Sequence, residues 1–171
     1  MFLYLRIPNN GEFTLEFDDK DLHRFTMCKL LYQNGDFSIN MSEDFLYVFI
    51  ESMINCINKK VVLEQHELLG KMGKWQEYFY YDSIYLKSHS NEIELMKKAT
   101  FISSEFYGTF LYQFKKKFWI ELNRGYDEIY NISPSDYYSS PEKYRILLAE
   151  ISQKTLNEWW ENLEKIKEKY Q

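Results

Sequence analysis

Hydrophobic and polar positions follow two different periods along this chain. Phe13, Leu15 and Phe17 alternate with Thr14 and Glu16, the period of a half-buried strand. Phe2 to Ile7 reads as a strand just before it. Between the two, Pro8-Asn9-Asn10-Gly11 carries an Asn-Gly pair, which supplies positive φ in a tight hairpin turn. A second such pair, Asn34-Gly35, separates Phe25–Tyr32 from Asp36–Asn40 and predicts another hairpin. The period then lengthens. Leu46, Phe49, Ile50, Met53 and Ile57 recur at helical spacing and form a core stripe. Ser42 is suited to cap that helix, Glu43 and Asp44 suit the positive end of its dipole, and Lys59-Lys60 suit the negative end.

Further along, Val61 to Leu69 fits a helix ended by Gly70 and Gly73, although the pattern over 61–76 is ambiguous. Tyr78 to Leu86 reads as a strand, and Ser90 to Lys98 as a short helix or as a loop and a strand. Phe106–Phe114 and Phe118–Asn123 read as paired strands around Lys115-Lys116-Lys117, ended by Arg124-Gly125. Tyr126 to Ser140 is rich in turn residues and reads as a loop. Ser140-Pro141 predicts a helix start running to about Ile151, because proline at the first helical position loses no useful hydrogen bond. Thr155-Leu156-Asn157-Glu158 matches a capping box. Leu156, Trp159, Trp160, Leu163, Ile166 and Tyr170 then hold helical spacing, so 140–170 is expected to be a C-terminal helical segment. Strands first and helices last predict an α+β fold. The expectation is a single domain over residues 1–171, with a largely antiparallel sheet of hairpins, packed helices and C-terminal helices.

Composition changes this picture in one respect. A chain of 171 residues is sized for one core, but 19% of it is aromatic, with 15 Tyr and 13 Phe against 6 Gly and 3 Pro. Such a chain is neither disordered nor of low complexity. Phe13, Phe17, Phe49, Trp159 and Trp160 lie on periodic faces and are expected in the core. Cys28 and Cys56 sit among apolar residues and are expected to pack there as small hydrophobes rather than form a disulfide. The apolar start Met1–Pro8 lacks the basic and small-residue flanks of a signal peptide. Phe45 to Ile57 is interrupted by Glu51 and Asn55 and is too short to cross a bilayer. No membrane association and a reducing, cytoplasmic setting are the expectation.

Linear catalytic signatures do not emerge. His23, His66 and His89 are scattered, neither cysteine has Cys-x-x-Cys spacing, and His66-Glu67 lacks the second histidine of a zinc protease helix. No metal and no cofactor are expected. Gly70-Lys71-Met72-Gly73-Lys74 has the wrong spacing for a phosphate loop and is followed by Trp75. No serine lies in a Gly-x-Ser-x-Gly elbow. Cys28 and His23, five apart on a strand, would point to opposite faces. Lys115-Lys116-Lys117, flanked by Phe114, Phe118 and Trp119, has the residue types that bind single-stranded nucleic acid. With a net charge of −5, however, the run reads as a solvated hairpin tip whose lysines blunt a sheet edge, and no direct nucleic-acid binding is expected.

The acidic, tyrosine-rich stretch between Tyr126 and Glu142 carries more. Asp127, Glu128, Asp136 and Glu142 occur there with Tyr126, Tyr130, Tyr137 and Tyr138 and no Lys or Arg before Lys143. Tyrosine is a stiff, amphipathic interface anchor, and acids beside it would steer a basic partner. The bland alternative is that the tyrosines pack inward while the acids solubilise. Asp18, Asp19 and Asp21 form a second acidic candidate of the same kind, and Glu43-Asp44 a third.

A short hairpin, an acidic turn, the segment Gly35-Asp36-Phe37-Ser38-Ile39 and a Leu/Phe-rich helix follow one another, and the chain ends from Asn131-Ile132-Ser133-Pro134-Ser135 to Trp159-Trp160. In this layout the chain resembles the small immunity proteins of bacterial polymorphic toxins, best those of contact-dependent growth inhibition systems. The resemblance implies a cytoplasmic protein that binds and blocks a cognate toxin domain, often a basic nuclease, and has no catalysis of its own. It carries over no individual residue. Two other readings stand beside it: a nucleic-acid mimic that blocks a host DNA-binding enzyme, and a small enzyme or ligand-binding domain with an aromatic pocket lined from Tyr78–Tyr85 and Phe106–Trp119.

Overall fold

The computed structural model describes residues 1–63, 94, 97–104, 107–124 and 145–171. These residues form an α+β fold of nine strands and two long helices, and divide into two compact units. One unit comprises Met1–Asn58 with Ile151–Gln171, the other Lys59–Glu150.

The first unit is built on a four-stranded antiparallel meander. Its strands are β1 (Phe2–Arg6), β2 (Glu12–Phe17), β3 (Met27–Asn34) and β4 (Phe37–Phe45), in that spatial order. The first predicted hairpin is present, with positive φ on Asn9 (61°) and Gly11 (87°). A Cβ at Gly11 would fall 2.0 Å from the Gln33 carbonyl oxygen, so both the conformation and the close approach require glycine there. The Tyr32 hydroxyl donates to the Asn10 carbonyl at 2.7 Å and pins this turn to β3. In the second hairpin only Gly35 takes positive φ (58°), the type II′ arrangement. Leu3, Leu5, Phe13, Leu15, Phe17, Cys28, Leu30 and Tyr32 are buried from the sheet's inner face.

Helix α1 (Leu46–Lys59) buries the expected stripe of Leu46, Phe49, Ile50, Met53 and Ile57. It begins later than Ser42. Residues 42–45 continue β4, because the ladder with β3 runs on: Glu43 faces Lys29, with an ion pair at 3.3 Å, and Phe45 faces Met27. Met41 is the bulged residue that keeps this register, and it is buried. Helix α2 (Gln153–Tyr170) starts before Thr155. Its cap is Ser152, whose Oγ accepts from the Thr155 N–H at 3.0 Å, so the expected capping box gives way to a cap three residues upstream. Leu156, Trp159, Leu163 and Ile166 are buried along α2 as their spacing predicts. Trp160 is not core, being 38% exposed, because its position lies one residue beyond the buried stripe. Trp159 Nε1 donates to the Arg6 carbonyl at 3.1 Å and ties α2 to β1. Burial of each large apolar side chain in this core contributes about 1.5–3 kcal/mol.

The second unit holds a five-stranded sheet in the order β5 (Val62–Leu63), β7 (Tyr107–Phe114), β8 (Lys117–Arg124), β9 (Arg145–Ile151), with β6 (Thr100–Ser103) also paired to β7. The β5–β7 pairing is parallel and the β6–β7 and β7–β8 pairings antiparallel. The predicted pair around the lysines is β7–β8, turned by Lys115 and Lys116 at φ 49° and 65°. Both values being positive makes this a type I′ turn built from lysines, with Lys115 Nζ 5.2 Å from the Phe114 ring centre. Since β8 lies inside the sheet, these lysines cap a hairpin tip and do not blunt an edge. The helix expected from Ser140 to Ile151 is replaced over Arg145–Ile151 by β9. Leu147, Ala149 and Ile151 are its buried positions, a two-residue period that the run Ile146–Ala149 disguises as a continuous apolar segment. The assignments made to Val61–Leu69 beyond Leu63, to Tyr78–Leu86, to most of Ser90–Lys98 and to Tyr126–Ser140 lie outside the described residues.

Candidate functional site

The connection from β2 to β3 leaves the sheet at Asp18 and returns at Met27. Asp18, Asp19 and Asp21 are all exposed on it. Asp18 Oδ1 accepts from the Lys20 N–H at 3.0 Å, an Asx turn that fixes the local path. The far end of the connection is anchored more firmly. His23 N–H donates to Thr26 Oγ1 (3.0 Å), and Thr26 N–H donates to the His23 carbonyl (2.9 Å). The Thr26 carbonyl accepts from Leu46 N–H (2.8 Å) and the Arg24 carbonyl from Tyr47 N–H (3.3 Å). The first amides of α1 are therefore satisfied by this loop, and the loop is held against the helix start.

That anchoring assembles an aromatic corner from residues distant in sequence. Phe25 meets Phe45 edge-on at 5.6 Å between ring centres and Tyr47 edge-on at 5.7 Å, while Phe45 and Tyr47 are stacked at 6.3 Å. The Arg24 guanidinium lies 4.6 Å from the Tyr47 ring centre and 5.1 Å from that of Phe25, contacts worth about 0.5–1 kcal/mol each at an exposed position. Met27, the register partner of Phe45, extends the patch. These groups are pre-ordered by one another yet exposed: Phe25 by 52%, Met27 by 56% and Phe45 by 39%. Large apolar groups are thus gathered at one exposed corner, with three exposed carboxylates on the same connection.

The second unit contains the opposite arrangement of similar residues. Glu121 on β8 is 1% exposed. Its Oε2 accepts from the Tyr112 hydroxyl at 3.0 Å, and its Oε1 accepts from Asn123 Nδ2 at 3.0 Å and lies 3.5 Å from Arg145 Nε. Burial pushes the Glu121 carboxyl up to about 7, and outweighs the opposing pull of Asn123, Arg145 and Tyr112. The Tyr112 hydroxyl is also raised, by burial first and by the charge of Glu121 second. Both carboxylate oxygens have donors within the chain, and these ties join β7, β8 and β9. Trp119 Nε1 and Thr109 Oγ1 on these strands are buried without a hydrogen-bond partner among the described residues.

Cys28 and Cys56 are buried thiols outside any disulfide, as expected. Burial pushes the Cys28 thiol up to about 12, which keeps it protonated and unreactive, while His23 is exposed outside the strand. Among the described residues no group of three or more His, Cys, Asp or Glu is arranged to hold a metal ion, and no helix is long and apolar enough to cross a membrane. Tyr126, Asp127, Glu128, Tyr130, Asp136, Tyr137 and Tyr138 lie outside the described residues, as does Glu142. Glu43 of the third acidic candidate is engaged with Lys29, and Asp44 Oδ1 accepts from the Phe45 N–H at 2.6 Å. Sequence reasoning missed Arg24, Phe25, Phe45 and Tyr47. The adjacent Arg24-Phe25 pair after an acidic run was the one local sign of them. It also missed the group formed by Tyr112, Glu121, Asn123 and Arg145. No protein-family model matches the chain, and no curated protein or solved structure matches it.

Proposed function

We propose that this chain is an inhibitor by occlusion: an immunity protein that binds a basic toxin domain, of nuclease type, in the cytoplasm and covers its substrate-binding surface. One observation carries the reading. The exposed carboxylates of Asp18, Asp19 and Asp21 share a connection with Phe25, whose exposed ring is packed with those of Phe45 and Tyr47. Carboxylates would pair with the lysines and arginines that such a toxin uses to hold phosphates, and so raise the association rate. Rigid aromatic anchors would supply the desolvated centre that slows dissociation. Asp127, Glu128, Asp136 and the tyrosines Tyr126, Tyr130, Tyr137 and Tyr138 are proposed, from their sequence alone, as further partner-binding residues. In this reading the chain performs no reaction. It needs no cofactor, and the buried Glu121 serves stability.

Growth protection tests the proposal. Cells expressing the proposed partner, a basic toxin domain sought among the genes neighbouring this one, should survive with the wild-type chain. They should die with a chain carrying Asp18→Lys, Asp19→Lys and Asp21→Lys together with Phe25→Ala. Protection by that variant at equal protein level would refute the role of this corner.

A further inference from the structure

The outer edge of β1 has a hydrogen-bonding phase that can be read from its two ends. The Met1 amine donates to the Phe17 carbonyl at 2.5 Å, and the Phe17 N–H donates back to the Met1 carbonyl at 3.1 Å. Ile7 N–H donates to the Gly11 carbonyl at 2.8 Å. The register pairs Leu3 with Leu15 and Leu5 with Phe13 between them. Antiparallel ladders alternate, so Met1, Leu3, Leu5 and Ile7 bond to β2. Phe2, Tyr4 and Arg6 therefore direct their amides and carbonyls away from it. No strand lies on that side among the described residues, since β1 ends the sheet. Phe2 and Tyr4 are exposed by 51% and 44%, with their rings stacked at 6.1 Å, and the Arg6 side chain is also exposed. Apart from the Arg6 carbonyl, which accepts from Trp159, this edge is unpaired among the described residues, and an unpaired edge with exposed aromatics is a template for another strand.

We propose that this edge pairs with the same edge of a second copy, antiparallel about a twofold axis at Tyr4, to give one continuous eight-stranded sheet. The pattern is self-complementary. Outward-bonding Tyr4 would face Tyr4 of the second copy, and outward-bonding Phe2 would face its Arg6. Each of these is a pair that exchanges two hydrogen bonds. The Arg6 carbonyl, which already accepts from Trp159, retains its second lone pair for this ladder. Charge supports the same register. Across the exposed face of one copy the row reads Glu43, Lys29, Glu16, Phe2, with Lys29 paired to Glu43. Arg6 of the second copy would continue it next to Phe2, within side-chain reach of Glu16, and would be followed by its own partner Glu12. Signs then alternate across the junction, and a cation lies beside the Phe2 ring. An unrelated strand has no such built-in match, which favours a second copy as the occupant. The inference is independent of the toxin-binding reading and uses a different part of the molecule.

Sedimentation velocity across a broad dilution series tests it. The 20.9 kDa chain should shift reversibly toward twice that mass as concentration rises. Tyr4→Pro should hold the chain monomeric. Its lost amide faces outward, where proline is tolerated on an edge strand. Tyr4→Lys, which sets like charges opposite each other, should do the same without any backbone change. Register is read by oxidation. Tyr4→Cys should cross-link to itself, because a hydrogen-bonded pair holds Cα atoms about 5.5 Å apart, inside the disulfide range. Phe2→Cys alone should not cross-link, whereas a mixture of Phe2→Cys and Arg6→Cys chains should. A chain that stays monomeric at every concentration overturns the proposal, and so does a dimer unaffected by both Tyr4 variants. A Tyr4→Cys chain that fails to cross-link overturns it equally.

Discussion

Two clusters in this molecule use nearly the same residue types to opposite effect. In the first unit, Arg24 lies over the rings of Phe25 and Tyr47, with the carboxylates of Asp18, Asp19 and Asp21 earlier on the same loop, all but Tyr47 exposed. In the second, Arg145, Tyr112 and Asn123 surround the carboxylate of Glu121, which is buried. The difference lies in where each polar group finds its partner. Glu121 finds its donors within its own sheet, which ties β7, β8 and β9 together, although burial still outweighs them for the ionised carboxyl. The acids of the β2–β3 connection are exposed, and the Phe25 and Phe45 rings farther along stay partly exposed. The surface carboxylates stay solvated, while the buried one is committed to groups of its own sheet.

The largest expected effect breaks the buried cluster. Glu121→Ala should destabilise the chain by about 3–5 kcal/mol in urea unfolding, the usual result of removing one member of a buried ion pair. A loss below about 1 kcal/mol would mean that the cluster is not the tie described, within the range of ordinary surface substitutions. Tyr112→Phe should cost less, about 1.5–3 kcal/mol at a pH above 7, where the Glu121 carboxyl that accepts this one hydrogen bond is ionised. Acidity sharpens the contrast further. The Glu121 carboxyl is raised from 4.5 to about 7 in the folded chain, so between those values the folded state holds a proton that the unfolded state has released. Stability from this group is therefore complete below about pH 4.5 and lost as the pH rises through 7. Glu121→Gln, which cannot ionise, should gain on the wild type across that window by about 1.4 kcal/mol for each step of one in pH. Unfolding curves with a constant gap from pH 4 to pH 8 would contradict the raised carboxyl. The smallest effect belongs to the exposed corner. Phe25→Ala with Phe45→Ala should alter stability by no more than about 1 kcal/mol, because neither ring is buried.

Both clusters were hard to read in the sequence, for different reasons. Strands β1 and β2, the Asn-Gly turns and the stripe on α1 are legible because local period and turn chemistry agree with the final packing. Ser42-Glu43-Asp44 misled because a cross-strand ladder with Leu30, Lys29 and Cys28 outweighs a local capping signal. Arg145–Ile151 misled because proline just upstream suggested a helix, while pairing in the sheet made it a strand. Glu121, between Trp119 and Asn123, has the alternation of a solvent-facing row, and only tertiary structure buries it. Phe25 and Phe45 meet because Met27 pairs with Phe45 across β3 and β4, a register that no local window contains.

The central claim concerns the exposed corner, and one binding measurement tests it most directly. Affinity for the proposed partner, a basic toxin domain sought among the genes neighbouring this one, should be compared, by calorimetry, between the wild-type chain and a variant carrying Asp18→Lys, Asp19→Lys, Asp21→Lys, Phe25→Ala and Phe45→Ala. The account predicts tight one-to-one binding by the wild type and at least a hundredfold loss in the variant, about 2.7 kcal/mol, with the variant still folded. Equal affinity of the two chains, or a wild type that does not bind that domain at all, would contradict it.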